Sequence, residues 1–224
     1  MDFDLSEEQR LLKESLDRLI GDRYAFEKRK SYAQGPEGWS RELWAQYAEL
    51  GLLGLPFAED YGGSAGGPVE TMIAMEAFGR ALALEPFLAT VVLGGGFLRH
   101  GGSAEQCAAL VPKIVDGSLT FAFAQTERHS RYDLADISTK AARDGTRWVL
   151  EGEKGVVLHG DTVDKLIVTA RVSGGRRDRD GVAIFIVDGN AAGVSRRGYP
   201  TQDGLRAAEI TLAGFRVGPE GVPR

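Results

Sequence analysis

Apolar residues recur at helical spacing through the first half of the chain and at strand spacing through the second. Leu12, Leu16, Leu19 and Ile20 form one stripe of a helix predicted from Ser6 to Ile20, and Ser6 with Gln9 has the form of a capping box. A second short helix is predicted over Asp22 to Tyr32, closed by the turn-rich QGPEG at 34–38. Ser40 can cap the next helix, which carries Leu43, Trp44, Tyr47 and Leu50 on one face and ends at Gly51, a residue suited to a left-handed cap. Pro68 stands in the first turn of a helix with Val69, Met72, Ile73, Met75 and Ala77, where a missing N–H costs nothing. Pro86 starts another apolar helix toward His100. Its three consecutive glycines, Gly94 to Gly96, are poor helix formers and predict a close backbone approach. Ser103 and Gln106 form a second capping box; that helix runs to about Val115, is kinked or divided at Pro112, and ends at Gly117.

The period then changes. Phe121 and Phe123 alternate with small residues, Trp148 and Leu150 with Val149 and Glu151, and LIVTARV (166–172) and VAIFIV (182–187) are β-branched runs. SGGRRDRDG between them is a polar, hairpin-like loop with three arginines, and AEITLAGFRV reads as two short strands around Gly214. Several short strands with turn signals suggest a small barrel or sandwich. The predicted class is α+β: an all-helical domain over residues 1–117, then a small antiparallel β-barrel domain over 118–224. The stretch from Leu119 to Gly160 spans the change of period, and its edge is where a cofactor is expected.

The net charge of −5 argues against a general nucleic-acid or membrane-surface binder. No apolar run approaches the roughly 20 residues that span a bilayer, and MDFDLSEEQ lacks the basic-then-apolar form of a signal peptide. With Cys107 as the single cysteine no intrachain disulfide can form, so the expected compartment is the cytoplasm. Cys107, in the helical context SAEQCAAL, reads as a small buried apolar side chain.

Few patterns carry chemistry by themselves. GGSAG at Gly62–Gly66 matches a nucleophile-elbow spacing, but EDY before it is no buried strand, so a flexible surface turn is the better reading. No G-x-G-x-x-G or P-loop occurs, and His100, His129, His159 and Cys107 show no metal-ligand spacing. The densest polar cluster is Thr126-Glu127-Arg128-His129-Ser130-Arg131-Tyr132-Asp133, directly after a strand. Two readings fit it equally: a loop that meets a phosphate or pyrophosphate, and a solvated turn with internal salt bridges.

LSEEQRLLKES, GLLGLPFAEDYGG, the PKIVDGS approach to the first strand, FAQTE, DLADISTKA and VLEGEK together resemble the acyl-CoA dehydrogenase family, over essentially the whole sequence. AQTERHSRYDL, GEKGVVLHGD and RRGYPTQDGLRAAE are similar to the small-subunit type of the pimeloyl-CoA dehydrogenases. The resemblance implies FAD at the edge between a helical and a β-barrel domain. It puts Phe123, Gln125 and Thr126 beside the flavin, Gln125 through its backbone alone, and the backbone of Val156, Val157 and Leu158 along the ring. It implies α,β-desaturation of an acyl-CoA substrate, an electron acceptor protein, and a homo- or hetero-oligomer with another acyl-CoA dehydrogenase subunit.

Three departures from the family pattern qualify that expectation. Arg131-Tyr132 replaces the usual Gly-Ser pair before Asp, and Val156-Val157-Leu158 replaces Trp-Ile-Thr, which removes a hydroxyl. The resemblance also implies a C-terminal four-helix domain that supplies the catalytic glutamate. The sequence ends at GPEGVPR without it, and the family pattern gives that role to neither Glu127 nor Asp133. The expected forms are a truncated chain or subunit lacking the base, a non-catalytic subunit assembled with a complete homologue, or a related flavin monooxygenase or oxidase.

Overall fold

The computed structural model describes residues 4–218 and 221–222. Six α-helices come first: α1 Glu7–Arg23, α2 Phe26–Gln34, α3 Arg41–Glu49, α4 Pro68–Ala81, α5 Gly95–Gly101 and α6 Ala104–Val115. Both predicted capping boxes form, at Ser6/Gln9 and Ser103/Gln106, and the Ser40 hydroxyl accepts the Leu43 N–H. The first helix outruns its predicted end and breaks at Tyr24-Ala25. Tyr24 is buried there, its hydroxyl donating to Glu85 at 2.6 Å and accepting the Leu84 N–H at 2.7 Å.

Two expectations about the later helices are corrected. α6 is one continuous helix that includes Pro112, neither divided nor in two pieces. The segment after Pro86 opens as a π-helical stretch, Leu88–Gly94, before α5. The close approach at its glycines is real, but side chains make it. A Cβ on Gly94 would lie 2.6 Å from Phe121 Cβ, and one on Gly95 would lie 2.4 Å from the tip of the Phe57 ring, while Gly96 faces open space.

Seven strands follow: β1 Phe121–Ala124, β2 Lys140–Asp144, β3 Arg147–Leu158, β4 Lys165–Arg171, β5 Val182–Asp188, β6 Val194–Pro200 and β7 Arg206–Val217. They form a curled sheet in the order β1-β4-β2-β3-β7-β6, with β5 on the other side of β4. The sheet is mixed, which corrects the antiparallel expectation. β1 runs parallel to β4 from Phe121↔Lys165 to Ala124↔Val168, and β2 joins β4 in parallel at Lys140↔Arg171. Together β1 and β2 are one interrupted edge along β4; both therefore run the same way, and residues 125–139 loop out between them. AEITLAGFRV lies in a single strand, β7, whose register on β3 slips near Gly214 (φ 62°).

Alternation along β1 divides two cores. Phe121 packs with the helices, in a cluster that includes Tyr47, Phe57, Phe78, Phe87, Ile167 and Ile186. Ala122 and Ala124 face the sheet interior with Leu150, Val157, Leu166, Val168 and Phe185. Strand β1 thus joins the helical layer to the sheet.

Gly95→Ala is expected to lower stability by about 1–3 kcal/mol through overpacking against the fixed Phe57 ring. Gly96→Ala, which meets nothing, should gain up to about 1 kcal/mol of helix propensity. Urea midpoints of the two variants check the contrast.

Candidate functional site

Strand β1 ends where the sheet interruption begins, and its last residues meet a bulge of β3. The Gly155 N–H donates to Thr126 O at 2.8 Å. Lys154 pairs with Ile210 and Val157 with Ala208, so β3 spends one more residue than β7 across this step. That extra residue turns Val156 outward at φ 51°, with 56% of its surface exposed. A β-branched residue rarely adopts the left-handed region. His159 has φ 56° as well, so two strained residues bracket Val157 and Leu158. Such strain persists only where surrounding structure enforces it, and it clusters at functional sites.

The sequence-predicted residues divide accordingly. Phe123 is half-buried against Phe97, ring centroids 4.6 Å apart. Gln125 and Thr126 are half-buried at the strand end, and neither side chain bonds to another described residue. Val156 stands across from them. Val157 is buried in the sheet core, which leaves its backbone as the part that lines the shelf. Leu158 faces the helices. The Gly155–Thr126 bond sets the Val156 bulge beside Thr126, with Phe123 and Gln125 leading up to it along the chain, as a shelf. Arg131 (φ 47°) and Tyr132, 99% exposed, lie in the turn beyond.

Behind the shelf is a buried ion pair that the sequence reading did not single out. Lys154 Nζ lies 2.7 Å from Glu127 Oε1, and both side chains are almost wholly buried. Lys154 also donates to Thr169 Oγ1 at 3.1 Å and to Gln125 O at 3.4 Å. Glu127 accepts the Ser138 N–H at 2.8 Å and the Thr139 N–H at 3.0 Å. Four segments are tied at one point: the end of β1, the start of β2, β3 and β4. Burial pulls Lys154 below the ordinary lysine value, against the pull of Glu127. Burial would raise Glu127, but the Lys154 ammonium and the two backbone donors outweigh it and hold the carboxyl low. Gly152, at φ 151°, lets β3 press on this joint, since a Cβ there would come within 2.7 Å of Thr139 Cα. The signal was present in the alternation, because Leu150, Gly152 and Lys154 share the inward face of β3.

A second tie holds the loop 125–139. Asp136, also buried, meets Arg176 Nε at 2.6 Å, Arg177 Nε at 3.0 Å and His129 Nε2 at 3.2 Å. The two guanidiniums keep its carboxyl low despite desolvation. Arg171 donates to the carbonyls of Ala135, Arg176, Asp178 and Asp180, fastening the arginine-rich β4–β5 loop to the same region. The polar cluster after β1 is thus internally paired around Glu127 and Asp136. An open groove of about 250 Å³ beside it is lined by Arg128, His129, Ser138, Glu153 and Glu209 among others. The GGSAG turn has no strand before it; it follows a short 3-10 turn, Glu59–Tyr61. Cys107 Sγ lies 3.3 Å from Leu98 O, and burial pushes its thiol up, away from thiolate reactivity.

Known proteins bear on this arrangement directly. The model of the acyl-CoA dehydrogenase N-terminal domain matches residues 6–118, and that of the middle domain matches residues 122–216. The chain belongs to the acyl-CoA dehydrogenase family. It is 31% identical over 196 residues to acyl-CoA dehydrogenase FadE12 of Mycobacterium tuberculosis, covering 85% of this chain and 49% of that one. It is 30% identical over 220 residues to cyclohexane-1-carbonyl-CoA dehydrogenase of Geobacter metallireducens, covering 96% and 57%. Among solved structures, the Tcur3481–Tcur3483 steroid ACAD matches with a TM-score of 0.86 at 29% identity, over 100% of this chain and 58% of that one. The ChsE4–ChsE5 complex from Mycobacterium tuberculosis matches with a TM-score of 0.87 at 25% identity, over 99% and 58%. The chain spans about half the length of the curated relatives it matches. Family members are flavoproteins that use FAD.

Glu127→Gln should cost about 3 kcal/mol or more, because it leaves the Lys154 ammonium buried without its countercharge. The folded carboxyl is held below its ordinary 4.5. Its contribution is therefore complete above that value and is lost as pH falls through the lower folded one. The gap between the denaturant midpoints of wild type and variant should be widest at pH 7 and narrow as the pH is lowered toward 3.5.

Proposed function

We propose that this chain is the helical and β-sheet portion of an FAD-dependent acyl-CoA dehydrogenase, and that its catalytic base comes from outside the described residues. The chemistry is α,β-desaturation of an acyl-CoA thioester, for which FAD, when bound, supplies the hydride acceptor. The shelf fits that group in kind. It offers an aromatic and aliphatic surface from Phe123 and Val156, with two unpaired polar side chains, Gln125 and Thr126, at its rim. Phe123, Gln125, Thr126 and the Val156–Leu158 backbone would hold the ring. Arg131, on the exposed turn, would add positive charge toward the phosphates.

One observation carries the assignment of the base. Abstraction of an α-proton needs a carboxylate free to accept it, with its pKa near working pH. Both buried carboxylates behind the shelf are already committed: Glu127 to Lys154 and two backbone N–H groups, Asp136 to two arginines. Glu209 is paired with Arg128 at 2.9 Å. These three acids are structural or neutralised, which supports a binding and orienting role for this part of the chain. A further domain of the same polypeptide, or a homologous acyl-CoA dehydrogenase subunit, completes the reaction. The two-protein assemblies among the structural relatives support the subunit form, and an electron acceptor protein would reoxidise the flavin.

Arg131→Ala is expected to reduce flavin occupancy severalfold, read from visible absorbance after gel filtration; unchanged occupancy would remove Arg131 from the FAD site. The purified chain alone should not bleach its flavin on addition of an acyl-CoA, and should do so once the completing domain or subunit is present. Bleaching by the chain alone would place the base within it.

A further inference from the structure

Three acceptors surround the Lys154 ammonium: Glu127 Oε1 at 2.7 Å, Thr169 Oγ1 at 3.1 Å and Gln125 O at 3.4 Å. An ammonium has three N–H donors, so this set uses all of them and suits the charged form. The first two hold the side chain within the sheet. The third, long for a hydrogen bond, sets a full charge against a backbone carbonyl dipole where β1 ends.

The peptide that carries this carbonyl has its other end free. Of the four polar groups in the two peptides flanking Thr126, three are engaged. Gln125 O faces Lys154, Thr126 O accepts the Gly155 N–H at 2.8 Å, and the Glu127 N–H donates to Ser130 Oγ at 3.1 Å. Among the described residues nothing accepts the Thr126 N–H. The peptide is trans, so its N–H and C=O point in opposite directions within one plane. The carbonyl turns inward to Lys154, whose side chain is fully buried. The N–H therefore turns outward, at the half-buried end of the strand. A positive charge on the carbonyl end polarises the whole peptide and strengthens the N–H as a donor, the more so in a low dielectric.

We propose that Lys154 is a positioning residue: it anchors and polarises peptide 125–126, so that the Thr126 N–H is an outward-facing, strengthened donor to an acceptor atom of the ring bound on the shelf. That the ring is a flavin rests on the proposed function. A donor fixed in advance against an acceptor atom favours the form of the ring that carries more negative charge. Lys154 would thus raise the reduction potential of the bound flavin from behind the strand, without touching it.

The test is Lys154→Met in the flavin-loaded protein, with Thr169→Val as control. The control removes another bond of the same ammonium and leaves its charge. Lys154→Met should lower the flavin midpoint potential by about 30 mV, a tenfold change for a two-electron couple, and Thr169→Val should leave it in place. Equal falls in the two variants would mean loosened packing alone and would overturn the proposal, as would an unmoved potential in Lys154→Met. Should Lys154→Met not fold, the double variant Glu127→Gln, Lys154→Met strands neither charge and should show the same fall. In the flavin-free chain the Thr126 amide should exchange with solvent much faster than that of Gly155. Its ¹⁵N shift, which responds to what the preceding carbonyl bonds, should move in Lys154→Met and stay in Thr169→Val. A slowly exchanging Thr126 amide would refute the outward donor. A chain that gives these amide signals but takes up no FAD would uphold the role of Lys154 and defeat the acyl-CoA dehydrogenase reading.

Discussion

The buried Glu127–Lys154 ion pair is the constraint around which the β half is arranged. Strand β1 is short, and β2 resumes its line along β4 only after a fifteen-residue excursion. Strand β4 sets the register of both halves, but where the chain leaves that edge and where it rejoins it must be fixed as well. The pair fixes both points, because Glu127 takes the two backbone donors that open the return path and Lys154 reaches the end of β1, β3 and β4 together. A buried ion pair is weak grounds for net stability compared with well-packed apolar residues. Its value here is in geometry: it decides where the strand stops and where the loop begins, and so where the shelf of Phe123, Gln125 and Thr126 stands.

The helical half was legible in the sequence because its signals are local. Ser6, Gln9, Ser40, Ser103 and Gln106 act within one turn, and each does in the fold what its spacing predicts. The misreadings arose where distant residues decide. Tyr24 ends α1 because Glu85 lies across the core. Gly94 and Gly95 are needed for the rings of Phe121 and Phe57, which no local window contains. The mixed sheet was illegible for the same reason, since parallel pairing of β1 with β4 joins residues more than forty positions apart. Of the candidate site, the motif residues at the end of β1 are named by the sequence, while Lys154 enters there only within VLEGEK, although its parity points inward.

Strain is concentrated rather than spread. Of the five non-glycine residues with positive φ among the described residues, Val156 and His159 bracket the wall of β3, and Arg131 sits in the facing loop. Each is held in place: by the bulge against β7, by the bond from the His159 N–H to Arg206 O, by the turn between Glu127 and Asp136. Together they form a rigid scaffold whose exposed faces are at Val156 and Arg131.

The interrupted edge also separates what must be kept from what is free to change. The excursion is clamped by Glu127 at one side, by Ser138-Thr139 at the other and by Asp136 to the β4–β5 loop, so only the short turn at 131–134 lies outside these ties. Substitutions there alter what the loop presents without reaching the strands. Arg131, Tyr132 and Asp133 stand in that turn, with Tyr132 almost wholly exposed. The turn at 131–134 is thus a face the protein presents outward, framed by the ion pair on one side and Asp136 on the other.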